Sequence, residues 1–510
     1  MQRSIFKLKK CALALESSTM SVFPKLTAEE AAEFISNDAF VACGGFTAAG
    51  CPKVIPSALA KRAERLHADS ETFQIKLLTG ASTNDAVDGA LGRARAIQFR
   101  APYQADKDLR KFINDGTVDY VDDCLSRYAR LLRQQFFGDI DVAIIEVSHC
   151  TDDGELTLTT AVGSAPVFCR NAKHILLEHN TYHERIEGFH DLYDAEPNHA
   201  PIPLRVLSDR IGTKTLRVDP KKVLGIVETH LPDGIEAFKP CTPIHEAIAA
   251  HVADFFLKEI RRGALSATSL AMELGTGNIT NAVLKHIGTC KEMPKFSVHG
   301  EVLQDGILEL LEQGRIEFAV GSSLTVTDPW LQTIYGRVDF YKERLLLRPS
   351  EITNHPEVIQ RLNLVALNAA LEADIFGNVN STHVTGTSVM NGIGGASDFA
   401  RNAALSVFML PSTAKDGKIS SVVPFCSHID LTEHDVDVIV TEQGLADLRG
   451  KSPEQRALCV IENCAHPDYK PLLYAYLKRA KSGHIRHDLH AAFAFYDAYA
   501  KTGDMRNAWL

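Results

Sequence analysis

Short unbroken apolar runs and longer amphipathic stretches alternate along nearly the whole chain. Runs at 39–43, 73–80, 141–147, 174–178 and 222–227 read as strands of a sheet covered on both faces. Helical periodicity falls between them, over 27–37, 52–67, 106–114 and 121–137. Thr27 followed three residues later by Glu30 fits a capping box. Residues 151–159 alternate and read as a hairpin edge. The rhythm resumes with strands over 270–274, 316–320, 344–347, 364–369, 405–409, 419–423 and 436–440, and helices over 243–262, 279–287 and 329–341. The tail, 452–500, is mainly helical in pattern. Strands alternating with helices predict an α/β fold with doubly wound, mostly parallel sheets. The stretch 185–240, richer in Pro, His and Asp, reads as a bridge between two halves.

Length agrees with a division into halves. At ~100–200 residues per domain, a chain of 510 residues holds two to four. A net charge of -10 provides no basic footprint, so nucleic acid is not an expected partner. Eleven cysteines without a CxxC pair point to reduced thiols, neither a disulfide framework nor a zinc site. No apolar run approaches the ~20 residues of a membrane helix, so no membrane association is expected. Residues 1–15 carry Arg3, Lys7, Lys9 and Lys10 and no acid. They read either as a short transit peptide, with a mitochondrial address, or as an over-long start before Met20, the favoured reading, with a cytoplasmic one.

Candidate chemistry concentrates where strands end. In Phe296-Ser297-Val298-His299-Gly300-Glu301, a buried strand runs into a turn, and a helix is expected from there to about Glu312. A carboxylate at that junction either favours a helix dipole, worth about 0.3–1 kcal/mol, or does chemistry. Two glycine turns share the form: Gly275-Thr276-Gly277-Asn278 and Gly392-Ile393-Gly394-Gly395. Glycines let a ligand approach backbone amides closely, so a carboxylate between such turns suits nucleophilic attack on a carbonyl with the amides holding the oxyanion. The loop from Gly44 to Lys53, ahead of a helix, reads either as an anion-binding loop or as an ordinary turn. The spacing around Gly392 is not a dinucleotide fingerprint. His299 precedes Glu301 closely, but no partner acid is identifiable, and a packed or exposed histidine is the favoured reading. No metal-ligand cluster of recognised spacing stands out, and no metal is expected.

From about Ala28 to Asp504 the chain resembles the succinyl-CoA:acetate CoA-transferase/acetyl-CoA hydrolase family of the class I CoA-transferase superfamily. The matching stretches include Gly44-Gly45-Phe46-Thr47, Thr79-Gly80-Ala81-Ser82-Thr83, Gly275-Thr276-Gly277-Asn278-Ile279, Glu301-Val302-Leu303-Gln304-Asp305-Gly306, Met390-Asn391-Gly392-Ile393-Gly394-Gly395, Pro411-Ser412-Thr413-Ala414-Lys415 and Val440-Thr441-Glu442-Gln443-Gly444. The resemblance implies two related open α/β/α sandwich domains, over 20–228 and 229–510, with the site at their interface. It implies Glu301 as the nucleophile, passing through an acyl-glutamyl anhydride and a glutamyl-CoA thioester. Thr276 and Gly395 match its oxyanion amides. Asn354 and Glu442 match polar residues at the reacting centre, and Gly275, Thr276, Gly277, Asn278, Ile279, Leu371, Gly395 and Lys415 match CoA contacts. Without the resemblance, Glu442 reads as a strand-end acid pairing with Arg449, Lys415 as a surface lysine and Asn354 as a turn former. Two departures stand out: Thr276 replaces a larger apolar residue of many relatives, and Leu231 to Glu236 is acidic where some relatives are basic.

The expected function is transfer of CoA between an acyl-CoA, succinyl-CoA first, and a small carboxylate such as acetate. CoA serves as substrate and covalent intermediate, with no tightly bound cofactor. An acyl-CoA hydrolase using the same glutamate is the alternative, and a CoA-binding protein without activity a more distant one. A homodimer is expected as the commonest assembly.

Overall fold

A computed structural model describes residues 23–510 apart from 82–83, 196–199 and 238. The amino-terminal 1–15 segment and the pair Ser82-Thr83 lie outside the described residues. The capping box at Thr27 is formed, and it starts the helix Ala28–Glu33.

Two large sheets organise the chain. The first has seven parallel strands in the spatial order Asp119–Tyr120, Ile97–Tyr103, Ile75–Ala81, Phe40–Cys43, Val142–Cys150, His174–Asn180 and Val223–Thr229. Glu155–Leu158 pairs antiparallel with the far end of Val142–Cys150, the hairpin edge that the alternation at 151–159 predicts. The second has seven parallel strands in the order Leu345–Leu347, Ile316–Gly321, Phe296–His299, Leu270–Leu274, Val365–Ala369, Leu405–Met409 and Val438–Thr441. An antiparallel strand, Gly444–Asp447, closes that edge. In each sheet the chain starts in the middle, winds to one side through three strands, then returns to fill the other. The two halves thus repeat one strand order and are related open α/β/α units with mostly parallel sheets. Each has a topological switch point beside its first strand, where α/β sheets receive ligands at strand carboxyl ends.

The halves are joined by more than the chain. One apolar core runs from Ala42 and Leu158 in the first to Met272 and Val440 in the second. Leu324 donates its amide to the Thr160 carbonyl (2.7 Å) and Val162 to the Ser322 carbonyl (2.9 Å). Arg348, fully buried, donates through Nε to Asp191 Oδ2 at 2.8 Å, so the bridge segment reaches back across the interface. Arg133 holds Glu351 in the same way.

Three expectations change in detail. The 419–423 run splits into Ile419–Ser420 and Val422–Val423, which pair in different small sheets. The 329–341 helix breaks at Arg337 into Asp328–Gly336 and Val338–Lys342. Glu301 does not open a helix. It sits in a turn between Phe296–His299 and the two-residue strand Val302–Leu303, and the helix starts only at Asp305, ending at Glu312.

Candidate active site

The carboxyl ends of both sheets line one cavity of about 190 Å³. From the first half come Phe46 and Thr47, Ala81 and Tyr103; from the second, Glu273, Gly275, Thr276, Glu301, Asn368 and the turn 391–396. Most lie at or just beyond the carboxyl end of a strand in one of the two large sheets, whereas the turn 391–396 follows the two-residue strand Ser388–Val389 of a small hairpin. The volume is below the ~300–1,000 Å³ of pockets that enclose drug-sized ligands, so it suits one small reacting group and not a whole large ligand.

Glu301 reaches this cavity because its turn is held from behind. Its carbonyl accepts the amides of Ser322 (2.7 Å) and Ser323 (3.1 Å), and Gly300 donates to the Val320 carbonyl. Asn354 Nδ2 donates to Glu301 Oε1 at 2.5 Å and lies 3.5 Å from Asp398 Oδ2, while Thr353 Oγ1 donates to Asn354 Oδ1. Burial pushes the Glu301 carboxyl up to about 7; the Asn354 bond pulls it down and the charge of Asp398 adds to the rise. A partly buried carboxylate poised near neutrality in a cleft is the kind of group enzymes use.

Gly395 shows how tight the site is. A Cβ placed there would collide with Glu301 Oε1 and with Asn354 Nδ2. Among the described residues, no acceptor is bonded to the amides of Thr276 or Gly395. The turn carrying Gly395 is clamped by the first half. Asp122 accepts from the Ile393 amide at 2.9 Å, Ser126 donates to Asp398 through both N and Oγ, and Leu125 N reaches the Gly394 carbonyl. Gly277 has φ of 124° and precedes the helix Asn278–Thr289, so this turn requires glycine.

The remaining candidates are placed elsewhere. Glu442 does not line the cavity. Its carboxylate accepts from the Ser412 amide (2.8 Å) and hydroxyl, tying down the loop before Lys415. Nor does it pair with Arg449, which binds Asp447 and Glu259. Leu371 donates its amide to Asn380 outside the cavity lining, and the Lys415 ammonium donates to Tyr499 Oη at 2.8 Å. His299 is buried, with Nε2 against the Thr353 carbonyl at 2.9 Å; burial and the nearby Arg348 charge hold it down to about 3, so it is a neutral packing residue. The Gly44 to Lys53 loop is not an open anion site. The amides of Lys53 and Ile55, at the start of the helix Val54–Ala68, are taken by the Glu178 carboxylate (2.7 and 2.6 Å). The acidic loop after Leu231 also turns inward: Asp233 is buried and pairs with Lys53 at 3.0 Å. Glu146, His183 and Asp233 converge closely enough to hold a cation, but the Lys53 ammonium already sits against both acids.

Glu273 was not singled out by the sequence pattern. It is the fourth residue of Leu270–Leu274, buried, and on the cavity wall beside Glu301. One acid within the apolar run Leu270-Ala271-Met272-Glu273-Leu274 was the available signal.

Comparison with known proteins places this architecture. The acetyl-CoA hydrolase/transferase N-terminal domain model matches residues 16–228, and the corresponding C-terminal domain model matches 331–477. The chain is 47% identical to a propanoyl-CoA:succinate CoA transferase of Escherichia coli, covering 94% of this chain and 98% of that protein. It is 41% identical to a succinyl-CoA:acetate CoA-transferase of Clostridium kluyveri (94% and 90%) and 39% to an acetyl-CoA hydrolase of Schizosaccharomyces pombe (93% and 94%). A 4-hydroxybutyrate CoA-transferase from Porphyromonas gingivalis shares the fold, with a TM-score of 0.61 at 22% identity over 89% of this chain and 97% of that one. Twin open α/β sheets meeting at a partly buried glutamate thus coincide with sequence similarity over nearly the full length, and the chain belongs to the acetyl-CoA hydrolase/transferase family of enzymes.

Proposed function

We propose that this enzyme moves CoA from an acyl-CoA to a small carboxylate, succinyl-CoA and acetate being the pair of first choice, through Glu301. The observation that carries the reading is the Glu301 carboxylate in a cavity walled by the Thr276 and Gly395 turns. Glu301 attacks the thioester carbonyl, and the two amides hold the negative oxygen of the tetrahedral species. CoA thiolate leaves, giving an acyl-glutamyl anhydride. The thiolate then attacks the glutamyl carbonyl, releasing the donor acid and leaving a glutamyl-CoA thioester. The acceptor carboxylate attacks that thioester, and the same steps in reverse deliver acyl-CoA and free Glu301.

Asn354 positions the carboxylate. Gly275 to Ile279 approach CoA at the mouth of the cavity, and Leu371 and the surface Lys415 meet parts of CoA that stay outside it. Glu442 acts through the Ser412 loop. The Clostridium kluyveri relative supports the choice of substrates. Hydrolase relatives make water the competing acceptor to test.

The test is a mass spectrum after incubation with succinyl-CoA, followed by addition of labelled acetate. CoA mass on the Glu301 peptide, then labelled acetyl-CoA, is the expected result, with both lost in Glu301→Ala. Free CoA as the sole product would assign a hydrolase. An unmodified peptide with full turnover would remove Glu301 from the chemistry.

A further inference from the structure

We propose that Glu273 is a substrate-contacting acid of this site, donating a hydrogen bond from its carboxyl group to the carboxylate of the acceptor acid that enters beside Glu301. The inference rests on the reading of Glu301 given above and adds a second acid with a different task.

The composition of the cavity wall poses the problem that Glu273 solves. The described residues lining it include two carboxyl groups, Glu273 and Glu301, and no lysine, arginine or histidine. A carboxylate substrate must nevertheless enter. Before any substrate arrives the two acids share one small cavity, and like charges in one site force one of them to keep a proton. Once Glu301 carries CoA, an ionised Glu273 would face the incoming carboxylate with no cation among the described lining residues. Glu273 is the better placed to keep it. It is 3% exposed, whereas Glu301 is only partly buried. Asn368 Nδ2, from the strand across the switch point, donates to Glu273 Oε2 at 2.9 Å and fixes the group against the wall. A protonated carboxyl so held uses one oxygen as acceptor for Asn368 and has one O–H to give.

The titration of Glu273 follows from its surroundings. Burial pushes its carboxyl well above the usual carboxylate range, and the charge of Glu301 pushes it further. The Leu367 backbone and the Asn368 amide act in the opposite sense. Tyr103 also faces the cavity, and Asp398 acts on Glu301 through Asn354. In the step where the acceptor attacks, Glu301 is esterified to CoA and no longer titrates. A pH dependence of acceptor binding in that step therefore reports on Glu273.

The experiment measures the acetate KM against pH in the wild type, Glu273→Gln and Glu273→Ala, each first loaded with CoA and checked by mass for the adduct on Glu301. In the wild type, acetate KM rises as pH climbs and Glu273 loses its proton. In Glu273→Gln the side-chain amide still accepts from Asn368 and donates to the ligand, but it does not titrate, so the rise disappears. In Glu273→Ala the acetate KM at low pH, where wild-type Glu273 is protonated, is higher than the wild-type value by about tenfold or more, as expected for one lost hydrogen bond to a charged group, and it does not change with pH. A Glu273→Gln profile that rises like the wild type, or an unchanged KM in Glu273→Ala, overturns the proposal. Should Glu273→Ala not fold, the glutamine profile decides alone. A wild type that forms no adduct takes both readings down, whereas an adduct with a pH-independent acetate KM removes the role of Glu273 and spares Glu301.

Discussion

Asn354 donates to Glu301 while burial works against it, and the balance sets the pH at which the nucleophile becomes ionised. The Glu301 carboxyl lies at about 7, above the usual range, so the reactive anion accumulates as pH rises through that value. Asn354→Ala removes the interaction that lowers it. The acid limb of kcat/KM is expected to move to higher pH in that variant, and kcat to fall, as a pH–rate profile will show. A limb that stays in place would mean that another group controls it. At this scale the sequence was informative where a residue type is rare in its setting. Glu301 after an apolar strand, and glycines on either side of it in the chain, could be picked out. Glu273 could not: one acid inside an apolar strand looks like an exposed position until the neighbouring strands bury it. The task of Glu442 was equally hidden, because its partner Ser412 is 30 residues away.

Among the elements, the long strands of the second half were the most legible. A largely apolar run such as Leu405–Met409 is too short for a helix and fits a strand covered on both faces. The hydrophobic pattern does not mark the strand Ile97–Tyr103, because its middle residue is Arg100. That guanidinium is fully buried against Asp88 (2.9 Å), a tertiary contact that overrides the local pattern. The helix Val54–Ala68 was expected, but not its cap. Lys53 carries no side-chain cap of its own, and Glu178, more than a hundred residues on, supplies the acceptor. Glu178→Ala leaves those donors unpaired and is expected to cost about 1–3 kcal/mol. Urea unfolding followed by circular dichroism checks this, and an unchanged midpoint would show the cap to be dispensable.

For the whole molecule, the duplicated strand order was not visible as a repeat in the letters, because side-chain identity diverges while the winding of the sheets is kept. The ion pair between Arg348 and Asp191 was also out of reach, being set by how the halves meet. Removing one partner of a buried pair typically costs about 3–5 kcal/mol, so Arg348→Ala is expected to lower stability by that amount. Because both halves share one core, the loss should appear in a single transition. Two separate steps in calorimetry would show that the halves unfold independently.

The turn that carries Glu301 hangs from Ser322 and Ser323, and the same short segment is stitched to Thr160 and Val162 on the opposite side. A jaw that opened between the sheets would tear those threads and drag the reactive group out of line. Ligands are therefore expected to come and go past a fixed hinge line, through the mouth of the cavity, with the lobes staying in register.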